Sequence, residues 1–305
     1  RKNRSRHCPN KRRHVVAIEF MAENEVLNDP AAHFFKSGNV RRNDINARLT
    51  PIRDALHSAC PKGMKIEYDL WYDSGDGSIK GYLYTDLMSS CVMIRAANQR
   101  YTNSVMVEAS HHHITPEADM VWEKIANQSN DKYALSCDAE PKDFVVFLPG
   151  TNIAADIVDW EKLTRAVEQG AYIKPHPISA PAVITKLVND YGEERVLPKK
   201  SSGHYYLENA SIVGCCTNSE MGLLGLIKEK SVYIFDLPED NHMRTYTSIY
   251  RAIKVGDNFS GEKLKRIISA PYSGLISVFH NDWHGRILSY FNHLKEVPHV
   301  ASINT

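Results

Sequence analysis

No stretch of this 305-residue chain approaches the ~20 consecutive apolar residues that a bilayer-crossing helix needs, so no membrane span is expected. No short apolar segment follows the basic start, so no signal peptide is read there. No CxxC pair occurs among the six cysteines, at 8, 60, 91, 137, 215 and 216, and their spacing is not that of a zinc finger. Thiols scattered in this way fit a reducing, cytoplasmic compartment, and Cys215 and Cys216, inside an apolar run, are expected to be buried. Neither an internal repeat nor a low-complexity tract is found beyond the first 14 residues. What is present is ordinary for a globular protein: 43% apolar and 24% charged residues, which excludes disorder throughout. The length suits two domains of ~150 residues each.

The formal charge of +1 conceals an asymmetry. Residues 1–14 (RKNRSRHCPNKRRH) hold seven Lys or Arg and no acid, which leaves 30 basic and 36 acidic residues, a net of −6, in the rest. Such a basic arm attracts phosphate-rich polymers or acidic membranes. The plainer reading is a solvated, poorly ordered terminus.

After the arm, HVVAIEF (14–20) reads as a buried strand and 41–59 as a helix with Pro51 near a boundary. MKIEYDLWYD (64–73) alternates like a strand, DSGDGS (73–78) is a loop, and GYLYTDL and SSCVMIRA are further apolar segments. NSVMVEAS (103–110) is expected to be a short strand that runs into a polar loop, HHHITPE (111–117), before a helix over 118–128. From Pro141 onward strand and helix alternate: DFVVFLPGTN (143–152), a helix over 158–169, AYIKPHP (171–177), a helix over 180–192, and then helix end, strand, polar turn, helix and strand over 205–236. That order implies a parallel sheet with helices on both faces, and ligands in such sheets bind beyond the carboxyl ends of the strands. Three polar loops fall there, at 149–152, 174–177 and 217–220. Residues 281–296 form an amphipathic helix with Ile287, Leu288, Phe291 and Leu294 in one stripe.

In IKPHP, two prolines flank His176 and restrict its backbone. An imidazole fixed in this way, with Lys174 beside it, suits a phosphate oxygen that gains negative charge. In CCTNSEMG, Thr217, Asn218 and Ser219 stand between a strand and a helix, a natural phosphate site. Each motif also has a plain reading: a hydrogen-bonded loop histidine, and N-capping by Asn218 or Ser219.

Taken together, IKPHP followed by ENASIVGCCTNSEMGLLGLIKEKSVYIFD resembles the C-terminal half of GT-B glycosyltransferases. The likeness is to bacterial sialyltransferases and capsule-polysaccharide transferases, over residues 143–236. It implies an α/β, GT-B-like fold with two Rossmann-type domains and a cleft between them. The expected division is a basic arm (1–14), an acceptor-side α/β domain (15–142), a nucleotide-sugar domain (143–280) and a C-terminal helix (281–305) that either packs back on the first domain or is a plain core helix. The implied activity is transfer of a sugar from a UDP- or CMP-linked donor to an acceptor hydroxyl, without a metal or other cofactor. Implied donor-binding residues are Gly150, Thr151, Lys174, His176, Pro177, Thr217, Asn218, Ser219 and Glu220, with His176 also catalytic. Many relatives carry a Glu two residues after the Gly of this helix, often on the ribose; here Leu223 and Leu224 follow Gly222, and the acid is Glu220.

An acceptor hydroxyl must lose its proton as it attacks the anomeric carbon. Glu108, His111, His112 and His113 are candidates, as are Asp73 and Asp76, Asp76 standing beside Gly77 as an acid does in bacterial sialyltransferases. The acceptor is a glycan or, since some phages glycosylate hydroxymethylated pyrimidines with GT-B-type enzymes, DNA steered by the arm. Two rival readings remain. A metal-dependent hydrolase would use His111 and His113, or His280, Asp282 and His284 in HNDWH (280–284). A non-enzymatic nucleic-acid-binding protein would rely on the arm.

Overall fold

A computed structural model describes residues 43–59, 66–68, 81–87, 90–96, 99–128, 139–150, 154, 157–177, 179–237 and 246–296. The basic arm, the strand expected at 14–20, the loop with Asp73 and Asp76, and Thr151 lie outside these residues.

Helix α1 (Asn43–Ala59) carries Pro51 in its interior rather than at a boundary. Strands β1 (Ile66–Tyr68), β2 (Gly81–Leu87) and β3 (Cys91–Ala96) follow. The stretch expected to be a strand at 103–110 belongs instead to helix α2 (Gln99–Ala109). Burial explains why: Tyr101, Val105, Met106 and Ala109 are covered while Val107 is 48% exposed, a helical recurrence and not an alternation. Two valines in a short apolar run imitated a strand. Helix α3 (Pro116–Ala126) opens on Thr115, whose hydroxyl accepts from the Ala118 amide at 3.2 Å, with proline in the first turn.

The second half alternates as expected: β4 (Phe144–Phe147), α4 (Trp160–Glu168), β5 (Tyr172–Lys174), α5 (Pro181–Tyr191), α6 (Gly203–Asn209), β6 (Ile212–Cys215), α7 (Met221–Ile227) and β7 (Ser231–Ile234). The strands form one sheet of order β5-β4-β6-β7, with every pairing parallel. Val196 forms a parallel bridge to Ile173, and the Leu197 amide donates to Ile173 O at 2.8 Å, so this short segment adds a fifth position outside β5. In chain order the sheet then reads 3-2-1-4-5, and its direction of travel reverses between β4 and β6. Val146 and Ile173 pack with Leu163 and Val167 of α4 and Val183 and Leu187 of α5. Val145, Phe147 and Val213 pack on the other face with Tyr206 of α6 and Leu223 of α7. Both faces are therefore covered, which is why FVVF and IVGC are apolar throughout.

The chain continues through α8 (Thr247–Ile253), a hairpin of β8 (Lys254–Val255) and β9 (Asn258–Phe259), α9 (Gly261–Ser269), β10 (Leu275–Ser277) and α10 (Trp283–Glu296). Strand β10 pairs antiparallel with β3, completing a mixed sheet of order β1-β2-β3-β10. The return to the first sheet thus begins at Leu275, ahead of the last helix. Ile287, Phe291 and Leu294 of α10 then pack with Leu49, Ile52 and Leu56 of α1, while Leu288 of the expected stripe stays 54% exposed. One core cluster runs from Met106 and Val121 to Leu223, Ile249 and Leu264, so helices of the two halves share an interior. Arg286 is buried and donates to Ile268 O, Ser269 O and Ala270 O at 3.0, 3.1 and 3.2 Å, a cation on the carbonyl end of α9. Its partner Glu117 opens α3, at 3.4 Å.

Candidate functional site

The register fixes the site. Phe147 pairs with Lys174 on one side and Cys215 on the other, and Cys215 pairs with Ile234. Leu148, Pro175, Cys216 and Phe235 therefore leave the sheet at the same edge. Neighbouring strands lie ~4.8 Å apart, so the loops after β5 and β6 emerge about 10 Å from one another, flanking the loop after β4. That is the edge where the strand order reverses, the usual ligand crevice of an open parallel sheet. Gly150, Lys174, His176, Pro177, Asn218, Ser219 and Glu220 all lie along it.

In the loop after β5, Lys174 is only 2% exposed, and its ammonium donates to Pro175 O at 2.9 Å and Lys199 O at 3.1 Å. His176 is half-buried, and its carbonyl accepts from the Ser179 amide at 2.9 Å.

In the loop after β6, Thr217 donates from both its amide (2.9 Å) and its hydroxyl to the carboxylate of Asp236, and its hydroxyl lies 3.0 Å from that of Thr247. Asp236 is a site residue that the sequence reading passed over. The available signal was its position, an acid just past the strand YIF. The amides expected to cradle phosphate are largely engaged. The Met221 amide donates to Ser219 Oγ at 3.2 Å, the Gly222 amide is directed at the Cys215 thiol, and the Leu223 amide at the Tyr250 hydroxyl. The Tyr250 hydroxyl itself donates to Ser219 O at 3.0 Å. Seven residues of helix with three capped amides leave little of an open N-terminus. Burial pushes the Cys215 thiol up to about 12, so it is a packing group. Two polar groups of this loop remain notable. The side-chain oxygen of Asn218 is buried without a hydrogen-bond partner. Glu220 is 5% exposed, and its charge helps burial push the Cys91 thiol up to about 12, which places the carboxylate near the start of β3 in the other sheet.

Glu108 and the histidines occupy the C-terminal end of α2, not the end of a strand. His111 Nδ1 lies 2.8 Å from Val107 O, His112 and His113 pack with ring centroids 4.2 Å apart, and Arg266 donates to His112 O at 2.9 Å. Burial first, then the neighbouring His113 and Arg286, holds the His112 pKa below the usual imidazole value. Glu108 faces His293 at 3.5 Å, and His293 stacks on Tyr272 at 4.6 Å. Among the described residues these contacts run to Arg266 of α9, to Tyr272 in the turn after α9 and to His293 of α10, not to the loops after β4, β5 and β6.

The histidines of HNDWH have local tasks. His280 Nδ1 accepts from the Ser277 amide at 3.0 Å, Asp282 accepts from the Gly285 amide at 2.8 Å, and His284 stacks on Trp283 at 3.8 Å. His280 and Asp282 precede α10, and only His284 lies in its first turn, so the three do not share a strand face. Among the described residues no group of three or more His, Cys, Asp or Glu is arranged to hold a metal ion. No helix among them is long and apolar enough to cross a membrane.

No family model matches the chain, and no curated protein matches it either. Among solved structures, a β-Kdo 2,7-transferase, KpsC of Thermosulfurimonas dismutans, is similar over 83% of this chain and 96% of its own, at 14% identity and a TM-score of 0.40. A likeness this slight fixes neither the arrangement of lobes nor the chemistry.

Proposed function

We propose that this protein is a glycosyltransferase of two-lobed, GT-B-like design that moves a sugar from a UDP- or CMP-linked donor to an acceptor hydroxyl. One observation supports this above the rest: the loops bearing Gly150, His176 and Asn218 with Ser219 meet at the edge where the order of the parallel sheet reverses. Phosphates bound there lie between an imidazole N–H from one side and the Ser219 hydroxyl from the other. The Asn218 oxygen, buried and unpartnered, is an acceptor suited to a ribose hydroxyl. In the reaction the acceptor oxygen attacks the anomeric carbon, and the bond from that carbon to the phosphate oxygen breaks. The nucleotide leaves with the electron pair, and His176 stabilises its new charge. The acceptor proton goes to a base, for which Glu108, His111, His113 and Asp76 are the proposed candidates. The acceptor itself is a glycan hydroxyl or a hydroxymethylated pyrimidine in DNA, toward which the basic arm steers.

The test is a thermal-shift screen against UDP, CMP, GDP and their sugars. A ligand present at 100 times its Kd stabilises the folded state by about 2.7 kcal/mol, which is readily seen as a rise in melting temperature. Selective stabilisation by UDP or CMP compounds is the expected result. A flat response to all of them, at millimolar concentration, overturns the reading.

A further inference from the structure

The alternation of β5 places Ile173 in the cluster beneath α4 and α5, and so turns Lys174 to the opposite face, that of Phe147 and Cys215. An ammonium buried there carries a desolvation cost that an apolar side chain would avoid. Its position is explained by what it joins. Lys174 donates to Pro175 O, where the His176 turn begins, and across to Lys199 O. Lys199 returns the connection: its own ammonium donates at 2.8 Å to Ser179 O, where the turn ends. The Ser179 amide closes the turn on His176 O. Two lysines thus reach in opposite senses between two loops, and His176 lies between their anchor points.

The second loop is itself fixed at both ends. Leu197 is hydrogen-bonded to Ile173, and Gly203 lies where an added Cβ would stand 3.6 Å from Phe147 and 3.5 Å from Met221. The 198–203 segment therefore runs from the outer edge of β5 to the point where β4 ends and α7 begins.

We infer that Lys174 and Lys199 are positioning residues for His176, a crossed pair of lysine–carbonyl clamps that sets the imidazole over the crevice, and that Lys174 does not act as a phosphate ligand. The clamp is a property of the free protein; only the consequence for turnover rests on the glycosyltransferase reading.

Lys174→Met and Lys199→Met each remove one arm, and Lys199, half-buried where Lys174 is 2% exposed, is the better choice for separating clamp from fold. In folded Lys199→Met, without ligand, exchange of the Ser179 amide is expected to quicken by about tenfold, the worth of one hydrogen bond to a charged donor. The His176 ring resonances are expected to shift, with the melting temperature little changed. Transfer by either variant then loses kcat more than KM, whereas loss of a phosphate ligand raises KM. Unaltered Ser179 exchange and unaltered His176 resonances in folded Lys199→Met overturn the clamp. If the wild type binds no nucleotide, the two ligand-free measurements still decide it, so the two failures are told apart.

Discussion

Asp236, just beyond β7, accepts hydrogen bonds from both the amide and the hydroxyl of Thr217, 19 positions earlier. The carboxylate thereby fixes the loop after β6 from the neighbouring strand, β7, at the same edge of the sheet. Thr217 is thereby spent on holding the loop, and it is not a free donor. Replacing Thr217 by Val removes a hydroxyl bound to a charged acceptor and is expected to cost about 2 kcal/mol of stability. Asp236→Asn costs less, because its oxygen still accepts from the amide. Since both changes act on one contact, the double variant should fall short of the sum. Urea denaturation of the four proteins measures this, and additive losses would show that the two residues do not act together.

His176 is expected to matter for turnover and not for folding. It is half-buried, outside the three core clusters, and held through its backbone. His176→Ala should lower kcat about 100-fold, the typical loss when one donor to a developing oxyanion is removed. Its melting temperature should stay within a few degrees of the wild type. Transfer at the wild-type rate by the variant would remove the imidazole from the reaction.

Gly222 illustrates a different constraint. An added Cβ would stand 2.4 Å from the Tyr250 hydroxyl and 2.7 Å from the Cys215 sulfur, closer than such atoms approach. Helix α7 thus lies against β6 only because this position is bare. Gly222→Ala is expected to destabilise by about 2 kcal/mol, as overpacking does. Tyr250→Phe takes away the nearer obstacle, so Gly222→Ala should cost less in that background. A cost independent of residue 250, read from paired melting curves, would refute the packing account.

The sequence made the parallel sheet legible because three of its four strands are short apolar runs that end in punctuation: Pro-Gly after FVVFL, Lys-Pro after YI, Thr-Asn after IVGCC. Long-range partners were not legible. The acid that holds Thr217 and the hydroxyl that caps α7 come from residues 19 and 31 positions away from the loop they serve. The strand position at Val196 is a single bridge, too short to leave a pattern. Helix α2 imitates a strand in sequence because its valines favour strands, while its burial follows packing against α8 and β3, which local preference does not encode. Of the site, the loops could be named in advance, but which of their donors were already engaged could not.

Acid should weaken the seam where α3, α9 and α10 meet, through His280. This side chain is 4% exposed, and burial, helped by the charge of Arg286 and opposed by that of Glu117, pushes its pKa down from 6.5 to about 4. Between those two values the unfolded chain holds a proton that the folded protein does not. The unfolded state is then favoured progressively as pH falls, so the stability linked to His280 is complete above pH 6.5 and gone below about 4. A shift of this size corresponds to about 3 kcal/mol. His280→Gln retains an acceptor for the Ser277 amide but cannot titrate. The difference in unfolding free energy between wild type and variant should be constant above pH 6.5, then move in the variant's favour by about 3 kcal/mol as pH drops to 4. Denaturant titrations at half-unit pH steps follow this difference directly. A gap that does not change with pH would mean that the imidazole carries no proton linkage and that acid acts elsewhere.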